Sequence, residues 1–309
     1  AGIGLVGIGL DPLRGERRVL RAPRNTAMER YFNSFGTEGR TMMCSTTSVQ
    51  VNLDIGSGDE VEDRWRLVHL VGPVFTAAFA NSPFHRGAPT GWRSTRAAVW
   101  RAIDSSRTAP VGLLAPGPEA WARYALDARV MLVRETAERF LALPEPLTFR
   151  EWMTRGHEAA FPDLDDLAYH LTTLFPPVRP RGWLEMRMID SLPDPWWRVP
   201  VLVAAALVHD PEAAERARLA CAPTAGLWIE AARHGLAHPT LAAAARGCFT
   251  AAIEALPRTG AFGTAATVTE AFHDRFVARG RSPADDLLDA WASTGALFPT
   301  DQPLEPAWT

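Results

Sequence analysis

The chain has 309 residues, which is enough for two small domains or one large one. Hydrophobic residues make up 47% of the sequence and charged residues 22%, which excludes a disordered, collagen-like or coiled-coil protein. The net charge is -3 and all 32 basic residues are arginine, so the chain offers neither a strongly basic nucleic-acid surface nor any chemistry that needs a lysine.

The cysteines and the apolar runs indicate a compartment. Cys44, Cys221 and Cys248 are too few and too widely spaced for a disulfide framework or a zinc ribbon, so a reducing cytoplasm is expected. The most apolar run, residues 199–208, is well short of the roughly 20 residues that span a bilayer. No membrane anchor is therefore predicted.

The chain begins with a glycine-rich segment. Gly2, Gly4 and Gly7 have the spacing of a dinucleotide-binding turn, but no strand precedes them and Asp11-Pro12 interrupts what should be a helix. A plain glycine-rich strand is the favoured interpretation. Because the sequence starts at this motif without a methionine, an upstream segment is expected.

A period-two pattern in residues 40–55 predicts a strand with one apolar and one polar face. The apolar residues are Val49, Val51, Leu53 and Ile55, and the polar ones are Thr46, Ser48, Gln50, Asn52 and Asp54. The polar face is a candidate site floor, although such residues are most often simply exposed. Cys44 lies on the polar parity without a histidine partner, so a small buried thiol is favoured there.

Helical signals and an arginine-rich stretch follow. Residues 59–80 predict a helix that Pro73 kinks or splits, and residues 94–102 predict another. A capping box at residues 148–151 and the pattern of residues 163–175 predict two short helices. Five arginines fall in the same region: Arg86, Arg93, Arg96, Arg101 and Arg107. They can clamp a carboxylate or phosphate, but on the residues alone a solvated helix face is favoured.

Residues 182–190 predict a second strand. Its two faces are Leu184, Met186 and Met188 on one side, and Trp183, Glu185, Arg187 and Ile189 on the other. Glu185 and Arg187 therefore point the same way. A carboxylate can hold Mg²⁺ and a guanidinium can neutralise a phosphoryl group, but an ordinary ion pair is equally compatible.

The remainder of the chain is predicted to be helical. The segments are residues 199–221, 224–236, 239–256, 264–280 and 283–294. His234 and His238 have a metal-like spacing, but Gly235 and Pro239 interrupt the helix, so a helix-end pair is favoured over a metal site. Residues 299–309 are expected to form a loose tail.

Three segments taken together resemble the plant-type and actinobacterial glutamate-cysteine ligases. They are Met42-Met-Cys-Ser-Thr-Thr-Ser-Val-Gln-Val-Asn-Leu-Asp54, then Phe79-Ala-Asn-Ser-Pro-Phe84 with Gly91-Trp-Arg-Ser-Thr-Arg96 and Trp100-x-x-x-Asp104-x-x-Arg107, and finally Trp183-Leu-Glu-Met-Arg-Met-Ile-Asp190. The order and spacing also match. The resemblance is greatest to the actinobacterial branch that serves ergothioneine synthesis.

The resemblance implies a fold and an activity. The fold is α+β, a glutamine-synthetase-like catalytic fold in which a curved antiparallel sheet holds the site and helices pack outside. The activity joins the γ-carboxylate of L-glutamate to the amine of L-cysteine through an acyl phosphate, using ATP and Mg²⁺. Residues 1–309 are then one catalytic domain, with a site-forming portion at 40–195, a helical cover at 196–298 and a tail at 299–309.

The same resemblance implies site residues. Glu185 and Gln50 are expected to bind the metal, Arg187 to contact the transferred phosphate, and Asn52 with Arg187 to bind the nucleotide. The expected substrate-binding residues are Arg93, Arg96 and Arg107.

One feature departs from the family. In the family, the first strand carries a Glu-x-Glu pair that supplies further Mg²⁺ ligands. This chain has no such pair before Gly36, where its only acidic residues are Asp11, Glu16 and Glu29 in a loop-like setting. An upstream strand is therefore expected, and the 309-residue chain alone is expected to be nearly inactive. The alternatives are a metabolite-binding relative without turnover and a carboxylate-amine ligase that uses another amine.

Overall fold

The structure is a computed structural model and describes residues 6–136, 139–143, 146–157, 160–260 and 263–297. The helices within these ranges, in chain order, are α1 (Pro23–Asn33), α2 (Glu38–Ser45), α3 (Glu60–Leu70), α4 (Gly72–Ala78), α5 (Thr95–Ala102), α6 (Ser105–Thr108), α7 (Gly117–Asp127), α8 (Phe149–Arg155), α9 (Leu164–Leu171), α10 (Val199–His209), α11 (Pro211–Cys221), α12 (Trp228–His234), α13 (Pro239–Ala255), α14 (Thr264–Phe272) and α15 (Pro283–Thr294). The described residues contain no helix that is both long and apolar enough to cross a membrane.

The strands are short and antiparallel. They are β1 (Ser48–Asp54), β2 (Phe84–His85), β3 (Ala88–Pro89), β4 (Leu132–Arg134), β5 (Phe140–Ala142), β6 (Val178–Pro180) and β7 (Trp183–Asp190). One sheet has the order β1-β7-β6, and the others are the pairs β2-β3 and β4-β5. This mixture of helices and antiparallel strands confirms the α+β class.

The chain divides into two compact units, each built from separate stretches of sequence. Unit 1 comprises Ala1–Gly15, Thr46–Ala98 and Pro180–Thr309, and unit 2 comprises Glu16–Ser45 and Val99–Arg179. Gly2, Gly4 and the predicted tail at 299–309 lie outside the described residues.

The core of unit 1 lies between the β1-β7 pair and the helices. Helices α3, α4 and α10 contact this pair, while α11, α12 and α13 pack around them. Phe79, Phe249 and Phe272 meet ring to ring at centroid distances of 5.3 to 5.9 Å. Burial of such large rings is a major source of stability.

Unit 2 has a smaller core of its own. Tyr31 and Phe32 from α1 are buried there with Met131. The two predicted helix starts are confirmed, because Thr148 with Glu151 and Asp163 with Asp166 both form capping boxes. The helices that follow, α8 and α9, begin where the sequence indicated.

The predicted strand over residues 40–55 is wrong in its first part. Residues up to Ser45 belong to α2, whose buried side chains Thr41, Met42 and Ser45 follow a helical spacing. The strict alternation of apolar and polar residues begins only at Ser48. Cys44 is therefore a partly exposed helix residue of unit 2 and has no strand parity.

Two further helix predictions need correction. The segment 199–221 is two helices, because Asp210 caps α11 by accepting from the Ala213 N–H at 2.9 Å and Pro211 occupies the first helical turn. The segment 264–280 is α14 followed by a π-helical turn at His273–Val277. The break at Pro73 is confirmed, since α3 and α4 meet at Val71.

The described part of the glycine-rich start is a close-packed segment, with only Leu10 bridging to Thr46. A Cβ at Gly9 would lie 2.5 Å from Cγ of Asp190, and a Cβ at Gly7 would overlap the carbonyl of Leu192. These glycines are thus explained by close approach of backbone to β7 and the residues after it.

Candidate active site

The polar face of the β1-β7 pair carries the predicted chemistry. Asn52 pairs with Glu185, and Val51 and Leu53 pair with Met186 and Leu184. Directly opposite residues on antiparallel strands share a face. The polar residues of β1 and the charged residues of β7 therefore lie on one side, and the aliphatic residues fill the other.

A bulge changes the faces of β7 near its end. Val49 pairs with Ile189 and Val51 with Met186, so Arg187 and Met188 together oppose Gln50. A bulge of this kind inserts one extra residue and interrupts the alternation. Ile189 therefore shares the apolar face with Val49, and its predicted place beside Glu185 and Arg187 is wrong.

Arg187 joins the two strands on the polar face. Its Nη1 donates to Glu185 Oε1 at 3.0 Å and to Gln50 Oε1 at 3.4 Å. The side chains of Arg187 and Glu185 are only 11% and 10% exposed. A charge-assisted bond at low exposure holds both groups in a defined orientation.

The donor set on this face partly fits a magnesium ion. Glu185 supplies one carboxylate, while Gln50 and Asn52 supply amide oxygens, which are hard ligands of the type that Mg²⁺ accepts. Mg²⁺ usually takes only one or two protein carboxylates and completes its shell with water and substrate phosphates. Across the described ranges, no group of three or more His, Cys, Asp or Glu side chains could hold a metal.

The acidic residues before Gly36 have partners of their own. Asp11 accepts from Arg14 at 2.6 Å, Glu16 accepts from Thr41 at 2.7 Å, and Glu29 pairs with Arg18 at 2.5 Å. Arg14 and Asp11 belong to unit 1, and the other pairs belong to unit 2.

Arg96 is buried beneath the site and bonded to the backbone of β7. It is 4% exposed, and its Nη2 donates to the Arg187 carbonyl at 2.8 Å. Its Nη1 lies 3.7 Å from Oδ1 of Asp190. Burial lowers the pKa of Arg96, and the Asp190 carboxylate opposes that shift.

Arg93 is tied to a helix of unit 1. Its Nε donates to Asp285 Oδ1 at 2.6 Å, and its side chain remains 27% exposed. Asp285 also accepts from Ser282 as the capping box of α15. The Nε of Arg93 is thus fixed to the start of α15, while about a quarter of the side chain remains exposed.

Arg107 belongs to unit 2 and is fully buried there. Its guanidinium donates to Asp104 Oδ2 at 2.8 Å, to the carbonyl and hydroxyl of Thr173, to Tyr31 Oη at 3.1 Å and to the Arg129 carbonyl at 2.6 Å. These contacts occupy all five N–H groups of an arginine. Arg107, which was predicted to bind substrate, therefore has no N–H group left to donate to one.

The remaining candidates do not form sites. His234 ends α12 and His238 precedes α13, so the two histidines flank a turn as a helix-end pair. Cys221 and Cys248, far apart in sequence, are buried with their Sγ atoms 3.3 Å apart as free thiols. Only the tertiary packing of α11 on α13 brings them together.

The residue that sequence reasoning missed is Asp190. It is 1% exposed and accepts from the Asn81 N–H at 2.9 Å, Ser82 Oγ at 2.7 Å and Ser94 Oγ at 3.0 Å. Burial raises the pKa of Asp190, while Arg96 and these donors act in the opposite direction. The sequence signal that could have identified Asp190 is its position, since it is a charged residue at the end of a strand whose neighbouring residues are apolar.

The sequence of the chain matches a known protein family. Residues 1–302 match glutamate-cysteine ligase family 2 (GCS2). Glutamate--cysteine ligase EgtA of Mycolicibacterium smegmatis is 44% identical over 304 residues, which are 95% of this chain and 69% of the relative. The enzyme of the same name from Mycobacterium tuberculosis (strain ATCC 25618 / H37Rv) is 42% identical over 300 residues, 94% of this chain and 67% of the relative.

A plant protein is also similar. The chloroplastic glutamate--cysteine ligase of Arabidopsis thaliana is 35% identical over 211 residues, which are 66% of this chain and 40% of that protein. The match to the family covers nearly the whole chain, including both strands that carry the polar face. The chain belongs to glutamate-cysteine ligase family 2.

Proposed function

We propose that this protein joins the γ-carboxylate of L-glutamate to the amine of L-cysteine with consumption of ATP, giving γ-glutamylcysteine for ergothioneine or other low-molecular-weight thiol synthesis. One observation carries the proposal: Gln50, Asn52, Glu185 and Arg187 share one face of the β1-β7 pair, and Arg187 bonds to both strands. Family membership and the EgtA relatives support the same activity.

The reaction needs charge in fixed positions more than it needs a protein nucleophile. Attack of the glutamate carboxylate on the γ-phosphorus of ATP forms an acyl phosphate and releases ADP, and attack of the cysteine amine then forms the amide and releases phosphate. Phosphoryl transfer depends chiefly on positioning and electrostatic stabilisation. A chain without lysine can supply both through arginine and oxygen ligands.

Arg187 is the residue that we assign to the transferred phosphoryl group. Its guanidinium carries a permanent charge, and its bond to Glu185 fixes its direction at 11% side-chain exposure. A positive charge held in advance costs no reorganisation when charge develops on the phosphoryl oxygens. Asn52, on the same face, is assigned to the nucleotide.

Glu185 and Gln50 are the residues that we assign to Mg²⁺. The ion would neutralise the nucleotide phosphates when it is bound. Glu185 accepts from Arg187 at 3.0 Å, so its carboxylate is held in one orientation. Water and the nucleotide phosphates would complete the shell of the ion.

The three arginines predicted to bind glutamate differ in what they can offer. The Arg93 side chain is 27% exposed and only its Nε is bonded to Asp285, so we propose it for a substrate carboxylate. The donors of Arg107 are committed to backbone and buried side chains, and Arg96 is only 4% exposed beside Asp190 and the Arg187 carbonyl, so we propose no direct substrate contact for either.

The proposal also includes the organisation of the chain. We propose that the β1-β7 pair is part of the curved antiparallel sheet of a glutamine-synthetase-like catalytic fold, that residues 40–195 form the site and that residues 196–298 cover it. The antiparallel register of the pair and the helices after Trp196 support this arrangement.

The test is ADP release by the full-length protein with glutamate and Mg²⁺, with and without cysteine, together with mass detection of γ-glutamylcysteine. Cysteine-dependent ADP release with that product is expected. ADP release only with another amine would replace the proposal with a different carboxylate-amine ligase. Nucleotide binding without turnover under any amine would identify a silent relative.

A further inference from the structure

Asp190 lies at the centre of a buried hydrogen-bond network in unit 1. Its carboxylate accepts one backbone N–H, from Asn81, and two hydroxyls, from Ser82 and Ser94. Asn81 in turn donates from Nδ2 to the carbonyls of Gly7 at 2.9 Å and Ser191 at 2.8 Å. The network therefore fixes the end of β7 to the turn after α4 and to the start of the chain.

Arg96 extends this network to a second point on β7. Its guanidinium lies 3.7 Å from the Asp190 carboxylate and donates to the Arg187 carbonyl at 2.8 Å. Its backbone N–H donates to Ser82 Oγ at 3.1 Å, so the residue is fixed at both ends. The planar fork of an arginine suits two acceptors held at a set separation.

One of these points, Arg187, lies in the bulge and the other, Asp190, lies beyond it. Arg187 and Met188 oppose the single residue Gln50, and Asp190 pairs with Ser48 beyond it. A bulged residue loses part of its ladder bonding, and a buried carbonyl without a donor is costly. Arg96 supplies a donor to Arg187 at this position.

We propose that Asp190 and Arg96 are positioning residues that hold the bulge of β7 and so keep Glu185 and Arg187 on the polar face beside Gln50 and Asn52. The inference rests on the proposed ligase function for the roles of Glu185 and Arg187. A slip of one residue would turn their side chains toward the aliphatic layer, because the side-chain period of a strand is two. Neither Asp190 nor Arg96 needs to touch substrate.

The test uses Arg96→Lys and Asp190→Asn in the full-length protein. A lysine has one point of charge and cannot reach both the Asp190 carboxylate and the Arg187 carbonyl. In Asp190→Asn, an amide NH₂ replaces one acceptor oxygen and faces donors. We expect the KM for MgATP and the Mg²⁺ concentration at half-maximal rate to rise about tenfold or more in both, because small misplacements at a site are costly.

A matched variant separates an effect on MgATP binding from a general loss of stability. Asp210→Asn removes the charge of another buried Asp, which pairs with Arg258 and caps α11 at its junction with α10. It is expected to change the unfolding midpoint without changing either MgATP parameter. Equal MgATP parameters in Arg96→Lys, Asp190→Asn and Asp210→Asn would overturn the proposal.

Two further measurements keep the result interpretable. If Asp190→Asn fails to fold, Ser94→Ala removes one bond to the carboxylate and is expected to shift the same two parameters in the same direction by less; no shift would count against the proposal. Calorimetric titration of MgATP into the variants does not depend on the amine. A wild-type protein that makes no γ-glutamylcysteine, with MgATP binding still weakened in Arg96→Lys, would defeat the function and retain the positioning role.

Discussion

Asn52 on β1 lies directly opposite Glu185 on β7. Opposed Cβ atoms on antiparallel strands are about 5 Å apart, close enough for an amide oxygen and a carboxylate to serve one ion or one phosphate group. The pair joins residues that are remote in the sequence, and it places a neutral ligand beside a charged one.

Replacement Glu185→Gln is expected to lower kcat of the full-length protein by about 100-fold or more, because the amide keeps the shape but loses the charge that binds Mg²⁺. The unfolding midpoint should change little. Steady-state ADP release at several Mg²⁺ concentrations measures the effect. Glu62→Gln, at an exposed pair with Arg66 on α3, is the control. Unchanged turnover in Glu185→Gln would refute the metal assignment.

Replacement Arg107→Met is expected to lower the free energy of unfolding by about 3–5 kcal/mol, because it leaves the Asp104 carboxylate buried without its cation. Chemical denaturation measures this loss. Asp104→Leu added to Arg107→Met should recover part of the stability, since no buried charge then remains. In Arg107→Lys, the KM for glutamate should stay near that of the wild type; a large rise would restore the substrate-binding role.

Replacement Gly9→Ala is expected to destabilise the protein by about 1–3 kcal/mol, because the new methyl group meets Asp190 at 2.5 Å from its Cγ. Gly15→Ala is the matched control, since a Cβ there has nothing within 4 Å. Thermal unfolding of the two variants side by side gives the comparison. Equal midpoints would show that the start of the chain does not pack against β7 as described.

Two buried histidines predict a loss of stability in mild acid. Burial lowers the pKa of His69 in unit 1 and of His170 in unit 2, each to about 4. An unfolded histidine titrates near ~6.5, so between these values the unfolded chain binds protons that the folded chain does not. Stability is therefore complete above about pH 6.5 and falls as the pH drops toward 4.

Urea unfolding at a series of pH values tests this dependence. His69→Phe should flatten the slope by the share of His69, and His170→Phe by the share of His170. A slope unchanged by both substitutions would show that other groups are responsible.

The thiols are expected to differ in reactivity. Cys221 and Cys248 are 0% exposed, and the contact with Cys221 together with burial raises the pKa of Cys248. Cys44 is partly exposed, although burial raises its pKa as well. Maleimide should label Cys44 slowly in the folded protein and all three cysteines in denaturant. Cys44→Ser should abolish labelling of the folded protein; labelling that persists would place Cys221 or Cys248 at the surface.

Part of this arrangement was predictable from the sequence. The alternation from Ser48 to Asp54 and the spacing of Glu185 and Arg187 identified both strands and their polar face. The bulge was not predictable, because nothing in the pattern of residues 183–190 marks an extra residue. The commitments of Arg96 and Arg107 were hidden as well, since their acceptors lie 91 and 66 positions away at Arg187 and Thr173.

The discontinuous composition of unit 1 has a consequence for synthesis on the ribosome. The strand that pairs with β1 is made long after it, because Glu185 follows its partner Asn52 by 133 positions (185 less 52). At translation speeds of about 5–20 residues per second, β1 is synthesised on the order of ten seconds before its partner strand β7. The β1-β7 pair, and with it the polar face, can therefore form only after β7 has been synthesised.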